Sequence, residues 1–144
     1  MAKSPKRLLV VDDNVHDARF VTRALSQTDD TLDIVHVIHA DEAVVRLEHD
    51  HFDYVLLDIK MPGVDGMELL ERIRTNEGTS VVPVIVLTSS TNPSDVFRSY
   101  KAGANAYAAK PSSLSGYRQF AEAFVRFWID NTLPPRGVVL HQLR

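Results

Sequence analysis

Five polar residues stand directly after short apolar runs, and together their types would do one chemistry. Asp12 and Asp13 follow Leu8 to Val11, Asp58 follows Tyr54 to Leu57, Thr88 follows Val84 to Leu87, and Lys110 follows Ala106 to Ala109. If those runs are parallel strands, all five residues leave one edge of one sheet. Three carboxylates would then face a hydroxyl and an ammonium across a small pocket. Carboxylates held that close raise one another's proton affinity unless a cation holds them, so the cluster implies a bound metal. Singly, each residue has a blander reading. An Asp-Asp pair can be a helix-capping turn, Asp58 a turn former ahead of Pro62-Gly63, Thr88 a strand end and Lys110 a solvated charge. Four such coincidences at one sheet edge are the weaker account.

The elements that must position these residues alternate between strand and helix periodicity. Leu8 to Val11 is a continuous apolar run, as expected of a strand buried on both faces. Asn14 is placed to cap a helix carrying Ala18, Val21, Ala24 and Leu25 on one face. Leu32 to Ile38 is β-branched and predicts a second strand, Ala40 to Glu48 a second helix, and Tyr54 to Leu57 a third strand. Met61 to Gly66 is rich in turn formers and predicts a loop. The following helix turns Leu69, Leu70 and Ile73 inward and ends near Gly78. Val81 to Leu87 predicts a fourth strand, Asn92-Pro93 opens a helix with proline in its first turn, Ala106 to Ala109 predicts a short fifth strand, and a long helix starts at Ser113. Five strand–helix units in 144 residues predict one α/β domain, a doubly wound parallel sheet with helices on both faces.

Bulk composition narrows the function classes. The chain is 44% hydrophobic, with formal net charge -3 and no cysteine. It therefore has no disulfide, thiolate nucleophile or cysteine-based zinc site, and no global attraction to nucleic acid or anionic membrane. Its apolar runs are strand-sized, too short to span a bilayer, and the basic stretch Met1 to Arg7 lacks the apolar segment of a signal peptide. A cytoplasmic protein is the expectation. His36, His39, His49 and His51 lack carboxylates at metal-ligand spacing and read as solvated.

The Val-Asp-Asp-Asn segment at 11–14, Leu-Leu-Asp-Ile-Lys-Met-Pro-Gly-Val-Asp-Gly at 56–66, Leu-Thr-Ser at 87–89 and Ala-Lys-Pro at 109–111 together resemble the receiver domain of two-component response regulators. Intervals of 45, 30 and 22 residues separate Asp13, Asp58, Thr88 and Lys110, matching that family's pattern over about residues 6–130. The resemblance implies a flavodoxin-like five-stranded sheet in the order 2-1-3-4-5. It also implies that Asp58 accepts a phosphoryl group from a sensor histidine kinase. Asp12, Asp13, Asp58 and the backbone carbonyl of Lys60 would hold Mg²⁺, an ion that takes oxygen ligands in octahedral geometry. Thr88 and Lys110 would contact phosphoryl oxygens. Thr88 and Tyr107 would form a switch, the hydroxyl moving to the phosphoryl group and the ring into the space it leaves. Pro111 would follow a cis bond. Lys60 and Ser90, each two positions past a motif residue, would tune the lifetime of the phosphoryl group.

The last helix and tail are unusual. Tyr117, Phe120, Ala121, Phe124, Phe127 and Trp128 form one stripe at 3.6-residue spacing, ordinary for a core-facing helix. Val125 lies at its margin and Ile129 outside it. After Pro134-Pro135 comes a second apolar stretch, residues 137–143. Residues 131–144 are read as an extension that either folds back on its own domain or embraces a second copy in a two-fold dimer. The dimer would use Phe127, Trp128, Ile129, Leu133 and Val139. The Phe-Trp-Ile…Thr-Leu-Pro segment is similar to single-domain regulators associated with bacterial phytochromes, which makes a phytochrome the expected kinase. Other classes fit less well. A Mg²⁺-dependent phosphatase with an aspartyl nucleophile normally has a second acid where this chain has Lys60. A flavin carrier needs a phosphate-cradling loop where this chain has Asp12-Asp13-Asn14. With 14 residues after Asp130, no helix-turn-helix module is expected.

Overall fold

The computed structural model describes residues 5–61 and 64–135. Five strands, β1 (Arg7–Val11), β2 (Asp33–Val37), β3 (Tyr54–Leu57), β4 (Val84–Thr88) and β5 (Ala106–Ala109), form one sheet in the order β2-β1-β3-β4-β5. All four pairings are parallel. The helices are α1 (Val15–Thr28), α2 (Ala40–His49), α3 (Gly66–Thr75), α4 (Pro93–Lys101) and α5 (Leu114–Phe124). Among the described residues no helix is long and apolar enough to cross a membrane.

The central strands β1, β3 and β4 are buried almost throughout because both their faces are covered, while the edge strands β2 and β5 are half-buried, and the period of two divides the inward side chains cleanly. Leu9, Val11, Val55, Leu57, Val84 and Val86 pack with Ala43 of α2 and Leu69, Leu70 and Ile73 of α3. Leu8, Val10, Tyr54, Leu56, Ile85 and Leu87 pack with Val21 and Leu25 of α1 and with Tyr117, Ala121 and Phe124 of α5. The starts of α1, α3, α4 and α5 are set by side chains that accept from first-turn amides; α2 has no such side-chain cap. Asn14 accepts from Asp17 N–H, Asp65 from Met67, Asn92 from Ser94 and Ser113 from Gly116.

Three expectations change. The fourth strand starts at Val84 because Pro83 has no N–H to give a ladder, and Val81 is exposed. The segment after Asp58 is more than a loop: Lys60–Met61 pairs antiparallel with Val64–Asp65 as a short ribbon leading into α3. Beyond Phe124 the helix widens into a π-helical turn, Val125–Ile129. Bonds from i to i+5 take up one more residue per turn, so the inward stripe slips. Val125 and Ile129 are buried while Phe127 is 57% exposed. Ile129 thus packs in its own core, not on a dimer interface, and Trp128 is half-buried against the same cluster. Tyr54 O–H donates to the Trp128 carbonyl (2.7 Å), and Lys6 Nζ donates to that of Ile129 (2.9 Å), anchoring this turn to the sheet. Leu133 is fully exposed; Val139 lies outside the described residues.

Gly66 lets α3 start against the Asp58 segment. A Cβ there would lie 2.4 Å from Ile59 Cα and 3.0 Å from the Asp58 carbonyl oxygen, and neither backbone atom can yield cheaply. Gly66→Ala is expected to cost about 3 kcal/mol of stability, measured by urea unfolding. An unchanged midpoint would refute the close approach.

Candidate phosphoryl and metal site

Backbone hydrogen bonds that continue the sheet just past its strands fix the site residues. Asp12 N–H donates to the Val37 carbonyl (3.1 Å), Asp58 N–H to Val11 (2.9 Å) and Lys110 N–H to Thr88 (2.8 Å). The side chains beyond the carboxyl ends of β1, β3, β4 and β5 therefore converge at the edge where open parallel sheets bind ligands. Asp12, Asp58 and Thr88 are buried, Asp13 is half-buried, and one oxygen from each of Asp12, Asp13 and Asp58 lies within 4.8 Å of the others.

Asp58 is fully engaged. Its Oδ1 accepts the Thr88 hydroxyl (2.7 Å) and the Lys60 amide (2.9 Å), and its Oδ2 accepts Lys110 Nζ (2.7 Å). Lys110 Nζ also lies 2.9 Å from Asp12 Oδ2 and 2.8 Å from Asp17 Oδ2. Burial pulls the Lys110 pKa down, but hydrogen bonds to Asp17, Asp58 and Asp12 outweigh it and hold the ammonium above its ordinary value. Three carboxylates thus contact one ammonium, and Asp13 adds a fourth beside Asp12 and Asp58. That excess of hard oxygen donors fits a divalent cation, and Asp12, Asp13 and Asp58 are the residues placed to hold it.

Beyond the pocket a second chain of contacts begins. Lys60 Nζ pairs with Asp95 Oδ2 (3.0 Å), which also accepts the Ser90 hydroxyl (2.6 Å). Ser90 and then Lys60 hold the Asp95 carboxyl below its usual range. Tyr107 is half-buried; its hydroxyl donates to the Ser90 carbonyl (2.8 Å) and its N–H to the Tyr100 hydroxyl (3.1 Å). So the expected switch residues Thr88 and Tyr107 are both tethered, one to Asp58 and the other to the segment after β4.

One expectation fails. The Lys110–Pro111 bond is trans, like every peptide bond among the described residues. Trans is favoured for X-Pro by about 0.5–1 kcal/mol, and nothing here demands otherwise, since Lys110 reaches both the Thr88 carbonyl and the carboxylates. Sequence reading also missed Asp17, Asp95 and His36. The two acids sit in first turns of helices, where an acid is ordinarily read as a partner of the helix dipole. His36 was expected in solvent, but its ring Nε2–H donates to the Asp12 carbonyl (2.7 Å) from the neighbouring strand. His51 likewise pairs with Asp53 (3.0 Å).

Burial pushes the Asp12 carboxyl up despite its hydrogen bonds from Lys110 and the Asn14 amide. A group with a raised folded pKa stabilises the fold below its unfolded pKa, and that contribution is lost as pH rises through the folded value. In metal-free protein the wild type should therefore gain stability relative to Asp12→Asn as pH falls through Asp12's raised pKa. Urea unfolding in chelator across that range measures the difference, and a pH-independent difference would contradict the assignment.

The model for the response regulator receiver domain matches residues 8–121. The chain is 33% identical over 140 residues to response regulator Rcp1 of Synechocystis sp., covering 90% of this chain and 94% of that one. It is 32% identical over 134 residues to the probable methanogenesis regulatory protein FilR2 of Methanothrix harundinacea, covering 89% and 86%. Among solved structures it resembles the phosphorylated cyanobacterial phytochrome response regulator RcpA, with TM-score 0.85, 30% identity and coverage of 91% and 99%. It also resembles the Mn²⁺-bound form of Rcp1, with TM-score 0.83, 28% identity and the same coverage. The chain belongs to the response regulator receiver family.

Proposed function

We propose that Asp58 is the phosphoacceptor and that Asp12, Asp13, Asp58 and the Lys60 carbonyl hold Mg²⁺. The observation that carries this reading is the pair of donors on Asp58, Thr88 on one oxygen and Lys110 on the other, within a cluster of carboxylates. An Asp58 oxygen attacks the phosphorus of a kinase phosphohistidine, the P–N bond breaks, the imidazole nitrogen takes a proton, and an acyl phosphate forms. Such a transfer needs positioning and charge neutralisation more than covalent help from the protein. Bound Mg²⁺ would supply neutralisation of the phosphoryl oxygens. Lys110 would give a compact positive charge, and the Thr88 hydroxyl would donate to another oxygen. With Thr88 so committed, Tyr107 and its bond to Ser90 carry the change to the surface of α4, β5 and α5. A phosphatase is the weaker reading: Lys60 puts an ammonium paired with Asp95 where that class carries its second acid.

The likeness to RcpA and Rcp1 supports a phytochrome-type sensor histidine kinase as phosphodonor, acting in the cytoplasm. It also supports a receiver unit over residues 6–130 with residues 131–144 as an extension. Exposed Phe127 and Leu133 support a homodimer through the end of the last helix and that extension, with protein–protein contact as the output.

With Mg²⁺ and a small phosphodonor, intact-mass measurement is expected to show one added phosphoryl group on the wild type and none on Asp58→Asn. Acceptance by the variant would refute the assignment. Removing residues 131–144 is expected to convert a dimer to a monomer by light scattering; a wild type that is monomeric throughout would rule the dimer out.

A further inference from the structure

Lys110 has three N–H donors, and the three carboxylates around it, at 2.7–2.9 Å, match them in number. Two of those carboxylates, Asp12 and Asp58, belong to the proposed cation site. The third, Asp17, stands apart from it, one turn into α1. Its backbone is fixed by the same loop that presents Asp12 and Asp13, since Asp17 N–H donates to Asn14 Oδ1 (3.0 Å).

Lys110 Nζ contacts the Oδ2 of both Asp12 and Asp58. A divalent cation held by the same two carboxylates would repel that ammonium and weaken its hold on them. Lys110 is only 8% exposed, so its ammonium is not free to withdraw into water, and leaving a buried charge unpaired is costly. Asp17, 30% exposed at the pocket margin, can keep the ammonium when the other two oxygens are claimed.

We propose that Asp17 is a positioning residue that holds the Lys110 ammonium at the pocket edge when a divalent cation occupies Asp12 and Asp58, keeping it beside the oxygen that accepts the phosphoryl group. This rests on the reading of Asp12, Asp13 and Asp58 as a cation site. Without Asp17, the ammonium has only the cation's own ligands to bind and competes with the cation for them.

The test is a double-mutant cycle read on Mg²⁺ alone, by calorimetric titration of the full chain. Asp17→Asn is expected to weaken Mg²⁺ binding roughly fivefold or more, the size of coupling usual for groups in direct contact. In a Lys110→Met background, which keeps the side chain's apolar stem, the same substitution is expected to change affinity less than about twofold. Equal losses in both backgrounds would show Asp17 acting as bulk negative charge and overturn the proposal, as would no loss in the wild-type background. Absence of Mg²⁺ binding by the wild type would overturn the cation site itself, and this inference with it. Thermal unfolding of each variant in chelator reports folding separately from binding.

Discussion

The buried ammonium of Lys110 is the interaction on which the rest of the site depends. Asp12 and Asp58 are almost without solvent, and Asp12 already pays for that burial in a raised proton affinity. The two carboxylates stand in so small a space because one ammonium touches both within 2.9 Å. A charge matched so closely to acceptors is strong locally yet incomplete overall, because one ammonium stands against the four carboxylates of Asp12, Asp13, Asp17 and Asp58. That deficit of positive charge makes the pocket receptive to a divalent cation, whose charge would also offset that of an added phosphoryl group.

Such matching requires positional accuracy that loops alone do not provide. The sheet supplies it through ladder bonds extended beyond β1, β3 and β5, which hold Asp12, Asp58 and Lys110 as rigidly as strand residues. Gly66 serves the same end from the other side by letting α3 begin against the backbone of Asp58 and Ile59. Close backbone packing and the candidate site thus meet at the Asp58 segment.

The fold and the central constellation were legible because they rest on periodicities and intervals that survive in one dimension. Continuous apolar strands, helices with one apolar face and the spacing of Asp13, Asp58, Thr88 and Lys110 each leave such a mark. Contacts set by three-dimensional approach leave none. Asp17 looks like any acid near a helix start until β5 brings Lys110 beside it, and Asp95 is hidden the same way until the ribbon after Asp58 delivers Lys60. The π-helical turn at Val125–Ile129 was invisible for a different reason. A wheel assumes constant angular advance, and one extra residue in a turn exchanges the roles of Phe127 and Ile129. The cis bond expected before Pro111 came from family likeness, not from any pattern in the residues, and local geometry here meets every contact without it.

The outward connection follows from what Asp58 does not hold. Its oxygens are taken by Thr88, Lys60 N–H and Lys110, so a group added there must disturb at least one of these. Two of the three lead away from the pocket. Thr88 ends β4, whose continuation carries Ser90; the Lys60 side chain crosses to Asp95 on α4, which accepts the Ser90 hydroxyl as well. Both routes meet at Ser90, whose carbonyl takes the Tyr107 hydroxyl. A switch requires contacts that differ between two states, and Ser90 is where a change at either Thr88 or Lys60 would alter the hydrogen bond that ties the Tyr107 hydroxyl to the segment between β4 and α4.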